Sequence, residues 1–301
     1  TTYMTNVGFS VGLYKRVMVD FEFYNNVTTD MLTESRVSSI ISEDAVMRNV
    51  GKMRNRGYEI TITSANIAHN QNKILTLFEG ITKSFGERVW AEGRSKNEWC
   101  LIRWAGIDPA DGKPMWYDKR GNVTKVYDYD NRVSDGRTPN PAVFGSMTNI
   151  LRWKEFSLRF MLNYTIGGWQ YTSLDRYTLN SGYDIIESNA PLEALDHWKK
   201  PGELAVGPRV VYKNDMKTTS YTDRFLHRMT NIRLQNVALT YHFPKQLCKK
   251  LRMEAMSVSL VGDNVYLWTP DQKRGENSYK TIMNSGSPMT TTYSANLSVT
   301  F

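Results

Sequence analysis

The chain has 301 residues, is 41% hydrophobic and carries 38 Lys and Arg against 30 Asp and Glu, for a formal charge of +8. No run approaches the roughly 18 consecutive apolar residues of a membrane-crossing helix. The basic residues are scattered along the chain instead of gathered on one face, which argues against a nucleic-acid partner. Two cysteines, Cys100 and Cys248, are too few for a disulfide scaffold and read as unrelated thiols.

The first residues, Thr1-Thr-Tyr-Met-Thr-Asn, already alternate like a strand and lack the charged start and apolar run of a signal peptide. The expectation is therefore a fragment of an exported protein. Val7, Phe9, Val11 and Leu13 share one face, and Tyr14-Lys15-Arg16 makes a polar turn whose basic residues suit an interface anchor. Val17, Val19, Phe21 and Phe23 then oppose Asp20, Glu22 and Tyr24. Unpaired carboxylates in mid-strand are costly in a dry core but cheap beside water. Residues 27–50 are polar and irregular and are expected to form a loop.

Tyr58, Ile60 and Ile62 alternate with Glu59, Thr61 and Thr63. The segment after them, 66–73, looks like the end of a strand with no beginning, so a missing segment is expected near 65–66. Residues 80–141 read as a long connection bearing a small hairpin over 104–118. Strands resume at 142–153, and after a turn at Lys154-Glu155 comes the cleanest alternation in the chain. Phe156, Leu158, Phe160, Leu162, Tyr164 and Ile166 face one way, with Ser157, Arg159, Met161, Asn163 and Thr165 between them. A second long polar stretch spans 167–230. Val237, Leu239, Tyr241 and Phe243 mark the next strand, 244–252 turns the chain, 256–268 returns, and 269–289 is a loop. The last strand puts Tyr293, Ala295, Leu297, Val299 and Phe301 on one face and small polar residues on the other.

A period of two serves a half-buried soluble strand and a lipid-facing barrel strand equally. The mean hydropathy of −0.48 does not separate them, because polar lumen residues dilute every strand of a barrel. The connections do favour the barrel. Short and long ones alternate along the chain, provided that one more short turn lies near Ala65, as short periplasmic turns alternate with long outer loops. The same parity puts Cys100 and Cys248 at opposite ends of the strands, too far apart for a disulfide. Soluble β-rich carbohydrate-binding protein and passive porin or adhesin are the alternatives.

Trp104-Ala-Gly-Ile-Asp-Pro109 with Gly112, Asp118 and Gly121 resembles the SusC/RagA family of TonB-dependent outer-membrane transporters. The likeness continues through Asn49–Gly57, Pro139-Asn-Pro141, Asn163-Tyr164, Gly167-Gly168, Arg224-Phe-Leu226, Arg233–Val237, Pro244-Lys245, Asp263-Asn264, Trp268 and Phe301. It implies an all-β fold, a transmembrane antiparallel β-barrel. Residues 1–301 would form the C-terminal part of a large plugged barrel of about 22 strands, with about nine or ten of them in this chain. It further implies import of oligomeric nutrients, glycan or peptide, into a bacterial cell through its outer membrane. The implied partners are a SusD-like lipoprotein as a lid, TonB through an N-terminal part absent here, the barrel assembly machinery and the lipid bilayer.

Candidate ligand contacts follow from position. Trp116, Tyr117, Trp169 and Tyr171 lie in or beside the outer loops, where flat rings stack on sugars or peptide side chains and Asp118 fixes polar groups. Arg159 and Asn163 are expected to face the lumen. Tyr293, Leu297, Val299 and Phe301 form the assembly signal. No catalytic residue is expected: Asp108 with Asp118, and Asp128 with Asp130, sit beside Gly and Pro as turn formers do. The Asp108–Gly112 loop lacks the ligand pattern of a calcium site, and His69, His197, His227 and His242 show no ligand spacing. Neither metal nor cofactor is expected.

Overall fold

The computed structural model describes residues 1–13, 17–36, 45–77, 80, 82–187, 189–214, 216–270 and 289–301. In chain order its strands begin with β1 (Thr2–Leu13), β2 (Val17–Arg36), β3 (Ala45–Ile62) and β4 (Ala65–Thr76). Five short strands follow: β5 (Lys83–Phe85), β6 (Arg88–Trp90), β7 (Trp104–Ile107), β8 (Pro114–Tyr117) and β9 (Val123–Thr124). Next come β10 (Val143–Trp153), β11 (Phe156–Ile166), the short β12 (Trp169–Tyr171), helix α1 (Ser173–Thr178) and the short β13 (Leu226–Arg228). The chain finishes with β14 (Asn231–His242), helix α2 (Lys245–Lys250), β15 (Ala255–Trp268) and β16 (Thr292–Thr300).

The long strands make one nine-stranded antiparallel sheet in the order β1-β2-β3-β4-β10-β11-β14-β15-β16. Each is the spatial neighbour of the one before it, the up-and-down order of a barrel wall. Register puts like with like. Val7, Phe9, Val11 and Leu13 lie opposite Phe23, Phe21, Val19 and Val17, with the rings of Phe9 and Phe21 stacked at 5.3 Å. Leu158 lies opposite Leu151 and Leu239, and Leu162 opposite Met147 and Leu234. Among the described residues no second layer lies on this outer face. Among the described hydrophobic residues of the wall only Ala68 and Ile74 are buried, whereas Leu260 and Leu297 are 59% and 66% exposed. A soluble sheet must cover such a face; in a barrel wall it meets hydrocarbon. The inner face carries Asp20, Glu22, Glu59, Ser157, Arg159, Asn163 and Thr240, as a wet lumen allows.

Tight backbone packing fixes the wall's twist at two places. Tyr164 lies across Gly145 of β10, and its Oη donates to the carbonyl of Asn66 at 2.8 Å. A Cβ on Gly145 would stand 2.0 Å from that carbonyl oxygen and 2.5 Å from Oη. Tyr24 covers Gly57 with the same clearances. Aromatic cover of a strand glycine pins register at a point where a side chain would collide.

Two expectations need correction. Residues 27–50 are strand wherever they are described, because β2 has 20 residues and β3 has 18. About 9–11 residues cross a bilayer, so this hairpin runs on into water. There Asn25, Asn26, Thr28, Arg54, Asn55 and Arg56 place polar groups on both faces, and the alternation that marks a strand disappears. The hairpin at 65–66 is likewise complete: Ile62 pairs with Ala65 across Thr63 and Ser64. Thr63 takes the turn with φ +34°. Thr-Ser has none of the Asn-Gly or Asp-Gly chemistry of a two-residue hairpin, so the sequence shows a break where the chain turns.

The connections 14–16, 63–64, 154–155 and 243–254 therefore share one end of the wall, and 37–44, 77–142, 167–230 and 269–291 share the other. The turn expected at Tyr14-Lys15-Arg16, the tip of the 27–50 segment and most of the 269–289 loop lie outside the described residues. Cys100 and Cys248 fall in connections at opposite ends, and both are free and buried.

Candidate ligand-facing site

The two longest connections fold together into a lobe at the long-loop end. Its core is Trp99, Leu101, Tyr171, Phe225 and Leu226, with Trp169, Leu179 and Tyr221 packed around it. β12 pairs with β13, bringing Tyr171 opposite Leu226. Trp99 ties the connections together through its indole, with Nε1 donating to the Trp169 carbonyl at 2.9 Å. Asp223 does so again: its carboxylate accepts from the Trp104 amide at 2.7 Å and from Arg137 Nη2 at 2.8 Å. Burial alone would lower the Arg137 pKa, but hydrogen bonds to Asp135 and Asp223 outweigh it and hold the guanidinium above its ordinary value.

Where the upper half of β4 stands clear of β10, the lobe closes over it and leaves a polar cleft of about 560 Å³. Asn70, Asn72, Arg94, Thr138, Asn140 and Trp169 line it. The half-buried Trp169 ring has the guanidinium carbons of Arg137 and Arg228 at 5.4 and 5.7 Å from its centroid. Glu98, at the same cleft, is buried and accepts from Arg94, Ser134 and the Gly136 amide. Lower on the inner face, a second polar hollow of about 440 Å³ is lined by Asn66, Ser146, Asn163, Thr165, Asn231 and Arg233, among others. Asn163 and Gln235 join through their amides, and Gln235 Oε1 also accepts from Arg233 Nη2 at 3.2 Å. Gln235 is the extra residue of a bulge where β14 pairs with β11, since the adjacent Met161 and Leu162 face Asn236 and Leu234, a device that re-aims side chains at barrel rims.

The structure separates the expected contacts. Trp169 and Asn163 border open cavities, and Arg159 stands exposed on the inner face opposite Ala238. Tyr117 is half-buried under Arg103, with the guanidinium carbon 5.1 Å from its ring. Trp116 and Tyr171 present no free ring face. Trp116 is wedged edge-on between Trp104 and Tyr127, and Tyr171 touches Trp99, Tyr221 and Phe225. Asp118 holds a turn, its two oxygens accepting from the Asn122 amide at 2.8 Å and side chain at 3.1 Å. The composition of the loops says that rings are abundant there, but not which ones a lobe would take as its own core. Tyr293, Leu297, Val299 and Phe301 lie along the outer side of the wall's last strand and its end.

The loop carboxylates are engaged by a lysine and by turn amides. Lys125 Nζ bridges Asp108 and Asp111 across the Asp108–Gly112 loop. Asp128 accepts from the Asp130 amide at 2.9 Å to start a 3-10 turn. The histidines are bonded to protein groups: His69 to the Ala142 carbonyl, His197 to the Ala194 carbonyl, His227 to Asp175 and His242 to Ser157. Among the described residues no cluster of His, Cys, Asp and Glu could hold a metal.

An apolar cavity of about 360 Å³ lies elsewhere in the lobe, between residues 178–195 and 206–210, with Arg224 in its lining. Sequence reading missed it. Leu192, Leu195 and Val206 show no period there, and the chain comes together through contacts distant in sequence, among them Val211 with Ser181 and Trp198 with Gly207.

No family model matches the chain. It is 21% identical over 310 residues to TonB-dependent receptor P3 of Formosa agariphila, covering 89% of this chain and 30% of that protein. TonB-dependent receptor P26 of the same organism is 22% identical over 308 residues, covering 89% and 30%. The chain thus spans about a third of the length of the curated relatives it matches. The solved structure of the RagAB peptide transporter superposes with a TM-score of 0.78 at 23% identity, over 100% of this chain and 35% of that one. The RagAB peptide importer in its open-open state gives 0.80 at 23%, over 100% and 34%. The fold is that of a barrel portion of these proteins. The chain is thus similar in sequence to TonB-dependent receptors and in fold to a portion of the RagAB transporter.

Proposed function

We propose that this chain supplies the C-terminal wall and the outer-loop lobe of an energised importer of oligomeric nutrients, glycan or peptide. The observation that carries the reading is the placement of apolar surface. The sheet's greasy face meets no protein, while the compact apolar cluster sits above the wall in the lobe. The likeness to TonB-dependent receptors and to a peptide transporter supports it. A ligand enters at the lobe, stacks on Trp169 in its amide-lined cleft, and passes along the inner face by Asn163 and Arg159. A SusD-like surface lipoprotein covers the outer loops, and TonB, acting on an N-terminal part of the protein, displaces a plug. The barrel assembly machinery reads Tyr293, Leu297, Val299 and Phe301. No bond is made or broken.

Uptake of labelled oligosaccharides and oligopeptides by whole cells tests this. Removing TonB abolishes uptake of the correct class, and Trp169→Ala lowers it by roughly two- to tenfold, the scale of one aromatic contact. Uptake that continues undiminished without TonB ends the proposal.

A further inference from the structure

The apolar cavity of the lobe shares no lining residue with the Trp169 cleft. Its volume of about 360 Å³ lies in the range of small-molecule pockets. Leu179, Ile185, Ala194, Leu195, Val206 and Val210 are among its lining residues. Arg224 brings the only guanidinium or ammonium among the described lining residues. Nη1 is enclosed and bonds to nothing. The guanidinium carbon lies 4.9 Å from the Trp104 ring centroid and 5.2 Å from that of Phe225. Asp175 is the carboxylate acting on it, and Asp175 Oδ2 is also bonded to His227 Nε2 at 3.0 Å. Burial outweighs this shared countercharge and pulls the Arg224 pKa down to about 10. Two other lining residues titrate. Glu193 is exposed and has a partner of its own, and His197 Nδ1 is bonded to the Ala194 carbonyl at 3.0 Å.

We propose that this cavity binds a small apolar carboxylate, its hydrocarbon body against Leu179, Ile185, Leu195, Val206 and Val210 and its carboxylate on the Arg224 guanidinium. A neutral apolar ligand would fill the volume but leave the buried cation as it is. An ammonium ligand would be repelled by it. A carboxylate supplies a planar acceptor that the guanidinium fork matches. The inference goes beyond import and holds whichever way transport is driven. Two sources share this chemistry, an apolar amino-acid derivative and a short fatty acid.

The test is calorimetric titration of the full-length protein in detergent with N-acetyl-leucine, N-acetyl-leucinamide and octanoate. At least one acid binds, and N-acetyl-leucinamide binds about tenfold more weakly than N-acetyl-leucine where the latter is the ligand, the scale of one charge-assisted hydrogen bond. Binding of N-acetyl-leucine alone assigns the amino-acid source, of octanoate alone the lipid source. Arg224→Met weakens the acid about tenfold and leaves the amide unchanged. Ala194→Trp fills the cavity without touching Arg224 and removes acid binding, so the proposal stays open to refutation if Arg224→Met does not fold. Equal binding of acid and amide, no binding of either acid, or full acid binding by Ala194→Trp overturns it.

Discussion

Phe9 on the wall and Phe225 in the lobe are the same side chain held to opposite rules: 57% exposed in one place, 1% in the other. Leaving a phenylalanine in water forfeits about 1.5–3 kcal/mol of transfer energy. Repeated over Val7, Val11, Leu13, Phe23, Leu260 and Leu297, that loss would leave the wall without stability as a soluble sheet. The wall therefore has hydrocarbon as its second layer. The lobe solves the problem alone, with Trp99, Tyr171 and Phe225 gathered inside and Asp223 and Arg137 knitting the two connections. One polypeptide thus carries a membrane-dependent half and a water-adapted half, and the same kind of substitution should have different consequences in each.

Phe225→Ala should show the largest effect, about 3–5 kcal/mol for emptying a packed aromatic site. The loss falls on the lobe, so hydrogen exchange and proteolysis there should rise sharply while the wall still inserts. If wall insertion fails as well, the two halves fold as one unit and the contrast drawn above is wrong. Phe160→Arg probes the other half. A guanidinium near the middle of the lipid-facing surface costs about 2–4 kcal/mol, whereas Met161→Arg, one residue along and turned to the lumen, should be nearly neutral. Equal costs in vesicle-folding equilibria would mean that the two faces have been assigned wrongly.

The contrast also explains what could be read from the amino-acid order. Alternation is plain from Phe156 to Ile166 because one face meets lipid and the other water, and the nine strands of the wall agree with the nine or ten that the family resemblance implied. It failed over Asn25–Asp30 and Arg54–Arg56, where β2 and β3 have left the bilayer and both faces are wet. It failed at Thr63-Ser64, where a turn is made without turn residues. In the lobe nothing repeats. Trp116 and Trp169 are both loop tryptophans a few residues from glycine, yet one is sealed by Trp104 and Tyr127 and the other borders the cleft. Trp116 is sealed inside its own connection, opposite Trp104 in the β7–β8 pairing, whereas Trp169 is held by hydrogen bonds from the other connection, and no short-range pattern tells the two apart.

Asp223→Ala sharpens the comparison at a middle scale. It strands Arg137, whose remaining partner is Asp135, and frees the Trp104 amide; about 1–3 kcal/mol is expected for such orphaned groups. Thermal unfolding followed by tryptophan fluorescence should show an early lobe transition, with the barrel signal unmoved. A single shifted transition would again join the two halves.

The smallest effect belongs to Asp118, at the lobe's exposed rim. Hydrogen bonds from the Asn122 side chain and amide stabilise its charged form and hold its carboxyl below the usual carboxylate range. A carboxyl depressed on folding contributes stability that is complete above its unfolded value, near 4. That contribution is lost as the pH falls through the folded value. The turn at 118–122 should therefore loosen only in acid, below about pH 4. Carbon-13 titration of the Asp118 carboxyl should give a midpoint below that of a free aspartate, and Asp118→Asn should weaken the Asn122 contacts at every pH. The same variant weighs the turn against a ligand role. Near-normal uptake with a loosened turn keeps Asp118 a rim brace, whereas lost uptake with the turn intact would move it into the ligand's path and make the rim of the lobe part of the site.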